Sequence, residues 1–382
     1  LKAIHRAHED QQRANRPFRL AIAGGGTGGH LFPGIAVARA LQKRIVDAEV
    51  LFVVGQRRME AEILSRSGFK AVSIHVQGIK GRGWRKGLPA LMNLPRSFFQ
   101  SIGIISRFSP SAALGVGGYS AGPFCAAAKC MGIPMAIHEQ NSYPGVTNRL
   151  LSRMADRIFI SFEDTRAYLK GRKTILTGNP VRPELLTVQP ARVKGDDLFT
   201  VLVVGGSQGA RAVSQVFVEA LQALKQRGRE IRVIHQTGSA DYERVVEDYR
   251  SRGLKGEVVP FIADMAEAYG RAHLVVGRAG ASTIFELAAL GKPSILIPYP
   301  YATNRHQEIN ARALVRKGGA EMMLQENLTP ETLAHALIRF MDDRQALEEM
   351  GELARQIARP DAAGAIVEQV EHMAKQAETG RA

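Results

Sequence analysis

The sequence predicts an α/β protein made of two similar halves, each a parallel sheet wound with helices, facing one another across a cleft. Three observations carry this. Helical and extended stretches alternate along the whole chain. Its 382 residues exceed one typical core and suit two. Two glycine-rich loops, about half a chain apart, each close an apolar strand and open a helix. The first is Gly24-Gly25-Gly26-Thr27-Gly28-Gly29-His30, after Arg19-Leu20-Ala21-Ile22-Ala23. The second is Gly205-Gly206-Ser207-Gln208-Gly209-Ala210, after Thr200-Val201-Leu202-Val203-Val204. Such a loop presents bare backbone N–H groups at the positive end of a helix, a place that attracts phosphate.

In order along the chain, the first half reads as strands over 19–23, 50–54 and 71–76, with a helix over 33–43 after the first loop. Residues 77–86 are rich in glycine, arginine and lysine. A helical segment follows to about 106, then strands over 112–116, 134–138 and 157–161. Composition changes over 178–198: Gly178-Asn179-Pro180-Val181-Arg182-Pro183 is turn-rich, and 189–197 is polar without a period. That is the mark of a linker. The expected domains are therefore 17–182 and 198–358. Strands over 199–204, 231–235, 257–260, 274–276 and 294–298 repeat the theme, with helices between them. Beyond 329 the chain reads as helical. Pro360 separates two helices, and the last, about 361–377, is expected to pack back on the first domain.

Net charge is +15, which suits nucleic acid, an anionic bilayer surface or phosphorylated substrates. There is no zinc-ligand spacing, no basic tail and little interleaving of aromatic with basic residues, so nucleic acid is not an expected partner. Cys125 and Cys130 have no accompanying His/Cys cluster and read as buried free thiols of a reducing compartment. The first sixteen residues are polar and charged, a frayed arm rather than a signal peptide. The longest uncharged run, 108–128, holds four glycines and two prolines and does not read as a membrane span.

Gly24, Gly26 and Gly29 match the dinucleotide pattern G-x-G-x-x-G. The second strand, however, ends in Gly55-Gln56-Arg57-Arg58, without the acid that would hold an NAD ribose. Arginine there would tolerate NADP. His30 closes the loop at the start of its helix, where the dipole disfavours an imidazolium. A neutral ring beside an anion site can serve as general base; a capping or packing histidine is the plainer reading. His138-Glu139-Gln140-Asn141 follows a short apolar strand, at the end where ligands sit in parallel sheets. These residues could bind sugar, supply a base or cap a helix. In Gly277-Arg278-Ala279-Gly280-Ala281-Ser282-Thr283-Ile284-Phe285-Glu286, Thr283 lies near a helix N-terminus and Glu286 about one turn in. A carboxylate there can accept two ribose hydroxyls or simply complement the helix dipole.

Together, GGGTGGH (24–30), GGYSAGP (117–123), HEQN (138–141), GNPVR (178–182), GGSQGA (205–210), FIADMA (261–266) and GRAGASTIFE (277–286) resemble the MurG family, from about Arg19 to at least Asp361. These are bacterial peripheral-membrane enzymes that add N-acetylglucosamine to lipid I to give lipid II for peptidoglycan. The resemblance implies a GT-B fold, two Rossmann-like domains with parallel sheets facing an interdomain cleft. It implies no cofactor and no catalytic metal, and no Asp-x-Asp motif is placed to hold one. It implies UDP-GlcNAc as donor, the undecaprenyl-diphosphate-linked muramyl-peptide lipid I as acceptor, and a place at the cytoplasmic face of the inner membrane. Ser207 and Arg182 would meet the diphosphate and Ala281, Ser282 and Thr283 the phosphates, with Ile284 and Phe285 in the same UDP-GlcNAc site. The backbone of Ile262 would read uracil, Glu286 the ribose and Gln307 the sugar. Thr27, Gly28, Gly29 and Asn141 would complete the donor site, with His30 or Glu139 as the base.

The stretch from Gly78 to Leu88 mixes apolar and basic residues around Trp84, the only tryptophan, and suits an anionic bilayer interface. Leu91, Leu94, Phe98 and Phe99 follow in a helical region; core positions are expected for at least two of Leu91, Leu94 and Phe98, leaving Trp84 as the anchor. The alternatives are another GT-B enzyme such as a UDP-sugar 2-epimerase, which would turn over UDP-GlcNAc without a lipid acceptor, and a non-catalytic nucleotide-sugar-binding protein, which would not need His30, Glu139 and Asn141.

Overall fold

The structure, a computed structural model, describes residues 17–26, 28–76, 93–169, 172–188, 198–206 and 209–380. Thr27, Ser207, the stretch 77–92 with Trp84 and Leu91, and the N-terminal arm lie outside them. Two parallel sheets organise the chain. The first holds seven strands: β1 (Arg19–Ala23), β2 (Glu49–Val54), β3 (Lys70–Ser73), β4 (Ala112–Gly115), β5 (Met135–Glu139), β6 (Arg157–Ile160) and β7 (Thr174–Leu176), in the order β3-β2-β1-β4-β5-β6-β7. The second holds six: β8 (Thr200–Val204), β9 (Arg232–Gln236), β10 (Glu257–Val259), β11 (Leu274–Gly277), β12 (Ser294–Leu296) and β13 (Glu321–Met322), in the order β10-β9-β8-β11-β12-β13. Both orders reverse beside the first strand, between β1 and β4 and between β8 and β11. That reversal opens a crevice at the carboxyl ends of the strands, where ligands of such sheets bind. Both glycine loops lie there.

The central strands of each sheet are buried on both faces and are apolar over most of their length. Leu20 and Ile22 of β1 face a core shared with the helices Gly28–Arg44 and Ala362–Thr379, while Ala21 and Ala23 face Phe124, Ile105 and Cys125 on the other side. In β8, Val201 and Val203 pack under the helix Arg211–Gln226, and Leu202 packs under the helix Ala281–Leu290. The chain crosses to the second sheet near residue 180 and returns with its last helix, whose Ile366, Val367 and Val370 join the first core. Glu371 on that helix pairs with Arg44 at 2.8 Å.

Three features of this fold differ from the expectation. The first helix starts at Gly28, five residues before Pro33, which sits inside it. Its missing N–H leaves one carbonyl near the N-terminus without an intrahelical partner. The edge strands β7 and β13, three and two residues long, are too short to show a period. Cys125 is buried and burial pushes its thiol up to about 12, but Cys130 is exposed. Five residues place it about 140° around the helix from Cys125, off the buried face. The helix Leu94–Phe108 buries Ser97, Ser101 and Ile105 and leaves Leu94 39% and Phe99 69% exposed; Phe98 packs partly buried against the core, and Leu91 lies outside the described residues. Ser97 and Ser101 satisfy their hydroxyls on the carbonyls of Asn93 and Ser97 one turn back, at 2.8 and 2.7 Å, so these small residues can pack against the alanine-rich helix Ala121–Cys130.

Candidate active site

The first glycine loop is shaped by its neighbours' backbones. Gly24 N donates to Val53 O at 3.1 Å and Gly25 N to Gly117 O at 3.3 Å. Gly118, with φ +83°, approaches so closely that a Cβ there would lie 2.1 Å from Gly25 O. Only glycine fits that position. Buried Glu60 accepts from Gly26 N at 2.5 Å and Gly55 N at 3.1 Å, and Arg57 Nη1 donates to Gly26 O at 2.6 Å. The acid missing from the end of β2 thus comes from the first turn of the next helix, Arg58–Arg66, and it holds loop backbone.

His30, in the first turn of the helix Gly28–Arg44, has its Nδ1 3.0 Å from Gln140 Oε1. Gln140 Nε2 donates to Val116 O at 2.9 Å and to His138 Nδ1 at 3.1 Å. His138 Nε2 lies 3.1 Å from Gly178 O. Burial brings the His138 pKa down from 6.5 to about 4, against the Gly178 carbonyl, which favours its protonation. Its ring is therefore neutral near pH 7.

Glu139 is 1% exposed. Its carboxylate accepts from Asn141 N at 2.9 Å, Asn141 Nδ2 at 3.3 Å, Gly145 N at 3.0 Å and Asn148 Nδ2 at 2.8 Å. Four donors fill a carboxylate's acceptor capacity. Glu139 anchors the turn after β5, and this arrangement favours His30 over Glu139 as the proton acceptor. Asn141 Oδ1 in turn accepts from Asn310 Nδ2 at 3.1 Å, and Asn310 Oδ1 accepts from Ser142 N at 2.9 Å. Asn310 is fully buried and ties the two halves together across the cleft.

Beside these residues lies a cavity of about 1110 Å³. Gly25, Gly26, His30, Glu139 and Asn141 line one end, Leu94, Phe98, Ala126, Leu150 and Met154 an apolar lobe, and Thr303, Asn304 and His306 reach it from the second half.

The facing cluster is built on the helix Ala281–Leu290, which starts at the β8/β11 reversal and packs against the helix Gly28–Arg44. Ala281, Ser282 and Thr283 form its first turn. Ile284 and Phe285 are core residues, Phe285 stacking edge-on against Phe162 at 5.0 Å, so they place the helix. Ser282 Oγ is buried without a partner among the described residues. Glu286 Oε1 accepts from Arg182 Nε at 3.1 Å and Nη2 at 3.0 Å, and Oε2 accepts from the Tyr269 hydroxyl at 3.1 Å. Burial pushes the Glu286 carboxyl up from its ordinary range, while Arg182 and Tyr269 pull it back. The Arg182 guanidinium also lies over the Phe32 ring of the first half at 5.1 Å. Arg182 and Glu286, predicted to act on separate parts of a ligand, are thus one paired unit. Ile262 N donates to Gln236 Oε1 at 3.4 Å. Gln307 Oε1 accepts from Tyr299 N at 2.9 Å, which leaves its amide Nε2 as the donor end.

The sequence placed both glycine loops, His30 at its helix start and Glu286 one turn into its helix, as the structure has them. It did not single out Glu60, Tyr269, Asn310 or Gln140 as a hydrogen-bonding link, each of which has a partner far along the chain. The one available signal was Gln140 inside a run of four polar residues at a strand end.

Residues 20–160 match the glycosyltransferase family 28 N-terminal domain and residues 200–366 its C-terminal domain. The UDP-N-acetylglucosamine–N-acetylmuramyl-(pentapeptide) pyrophosphoryl-undecaprenol N-acetylglucosamine transferase of Geobacter sulfurreducens is 45% identical, over 92% of this chain and 98% of its own. The crystal structure of Acinetobacter baumannii MurG superposes with a TM-score of 0.76 at 33% identity, covering 93% of this chain and 100% of that one. A UDP-GlcNAc 2-epimerase from Neisseria meningitidis shares the fold, with a TM-score of 0.65 at 14% identity over 92% of this chain and 98% of its own.

Proposed function

This chain belongs to the MurG family within glycosyltransferase family 28, and we infer that it transfers N-acetylglucosamine from UDP-GlcNAc to the muramyl C4 hydroxyl of lipid I, giving lipid II for peptidoglycan. The observation that carries the reading is the cavity itself. Its polar end holds His30 beside a glycine loop at a helix N-terminus, and its other end is an apolar lobe suited to a lipid-linked acceptor. A donor-binding module or an epimerase has no use for such a lobe.

In the transfer, His30 takes the proton of the acceptor hydroxyl as its oxygen attacks the anomeric carbon from the face opposite UDP. A new C–O bond forms, the bond to the diphosphate breaks, and its electron pair leaves with UDP, giving a β-linkage. Charge on the departing diphosphate is met by N–H groups at the start of the helix Ala281–Leu290 and in the second glycine loop. Ser282 Oγ, buried and unpaired among the described residues, adds a donor. The Arg182–Glu286 unit takes the ribose end, Ile262 the base, and Gln307 Nε2 a sugar hydroxyl. Ser207 and Thr27 complete the phosphate and sugar contacts, with Gly28, Gly29 and Asn141 on the first half.

No helix among the described residues is long and apolar enough to cross a membrane. The enzyme meets its acceptor from one side, at the cytoplasmic face of the inner membrane, through the basic stretch 78–88 and exposed Leu94 and Phe99. The test is radiolabelled UDP-GlcNAc incubated with lipid I and, separately, with acceptor-free membranes. Label should enter lipid only in the first. Conversion of UDP-GlcNAc without lipid I would replace the transferase reading with the epimerase one.

A further inference from the structure

We propose that Gln140 fixes the tautomer of His30, holding the ring proton on Nδ1 so that Nε2 is the unprotonated, basic nitrogen. The proposal rests on the reading of His30 as the base and adds the residue that prepares it.

The network is fixed by acceptors that cannot change role. Gly178 O is a carbonyl, so the neutral His138 ring, 3.1 Å away through Nε2, carries its proton on Nε2. His138 Nδ1 is then an acceptor, and Gln140 Nε2 donates to it at 3.1 Å. The same amide nitrogen lies 2.9 Å from Val116 O and 3.2 Å from His138 O, both carbonyls. Only the NH2 end of Gln140 can face these three acceptors, so its Oε1 faces His30. An amide oxygen only accepts, and His30 Nδ1 at 3.0 Å must be the N–H. Its Nε2 has no protein partner among the described residues, and His30 lines the cavity. Gly117 completes the seat: a Cβ at that position would lie 2.9 Å from His30 Nδ1, so any side chain would push the ring off Gln140. The charged and titratable groups around the ring and the cavity it faces are His138 behind Gln140, Glu60 and Arg57 on the glycine loop, and Glu139, Tyr119, Tyr143 and His306 along the cavity wall. Of these, the His138 ring is the one bonded directly to Gln140. Glutamine in this place orients the ring and selects the tautomer without placing a formal charge beside it.

The experiment is long-range ¹H–¹⁵N correlation on the full chain carrying ¹⁵N-histidine, with the His30 signals assigned by their loss in His30→Gln. Wild type should show Nδ1 protonated and Nε2 bare. Gln140→Met, similar in size but without an amide, should release His30 to the Nε2–H form. Its kcat should fall on the order of 10–100-fold with donor KM unchanged. Gln140→Glu should keep the Nδ1–H form and move the acid limb of the pH–kcat profile to higher pH, because a carboxylate favours the imidazolium. A wild-type ring protonated at Nε2, or an unchanged tautomer in Gln140→Met, overturns the proposal; the wild-type spectrum decides even if a variant fails to fold. Failure of the base reading is separate: His30→Ala would keep its kcat while the wild-type ring still showed the Nδ1–H form.

Discussion

At the scale of single residues, the proposed ribose role of Glu286 has to share its carboxylate with a structural one. Its carboxylate spends three of roughly four acceptor positions on Arg182 and Tyr269, leaving one for a ribose hydroxyl. Glu286→Ala should therefore weaken UDP-GlcNAc binding by about 2–3 kcal/mol, since it unpairs a hydroxyl and strands a largely buried guanidinium. Calorimetric titration with the donor checks this; unchanged affinity would remove Glu286 from the ribose. The position of this acid, one turn into a helix that follows a glycine loop, was legible because the pattern is local. Glu60, Gln140 and Asn310 were not, because each acts on backbone or side chains brought near only by folding. Gln140 reaches a histidine 110 positions away, and Asn310 an asparagine 169 positions away.

At the scale of elements, the central strands and both glycine loops were readable from apolar runs and turn chemistry, and only short edge strands escaped. The helix Leu94–Phe108 is apolar on more than its core face. Apolar residues at helical spacing ordinarily mark a core face, but here serines occupy the interface with the helix Ala121–Cys130, and Leu94 and Phe99 are left exposed at the rim of the cavity. An exposed apolar rim on a basic protein fits an anionic lipid surface. Phe99→Asp should reduce co-sedimentation with vesicles containing anionic lipid and slow transfer to membrane-embedded lipid I. Turnover of a detergent-dispersed acceptor should change little. Equal vesicle binding by the variant and the wild type would exclude this rim from the membrane contact.

At the scale of the whole molecule, two buried histidines set the response to acid. Burial lowers His138 from 6.5 to about 4 and His235, held between Tyr249 and Ser214, from 6.5 to about 3. Below pH 6.5 the unfolded chain takes up protons that the folded chain refuses, so stability should fall from pH 6.5 down to about 4 and 3 respectively. Lys292 acts at the other end: burial and Arg355 lower it from 10.5 to about 8, so its contribution to stability should rise between pH 8 and 10.5. Thermal melts across pH 4 to 7 should show the acid decline, and it should be shallower in His235→Gln. The two-sheet architecture was visible in the sequence as a repeated strand–loop–helix theme. The seating of the last helix on the first core was suggested by Pro360 but depends on contacts that no local pattern encodes. On the proposed assignment of the base to the first half and the donor cluster to the second, kcat and donor affinity should separate on mutation. His30→Ala, assayed for transfer to lipid I and titrated with UDP-GlcNAc side by side, tests this most directly. The division predicts a kcat lowered roughly 10²–10⁴-fold with donor affinity intact; near-normal kcat, or loss of donor binding in its place, would contradict it.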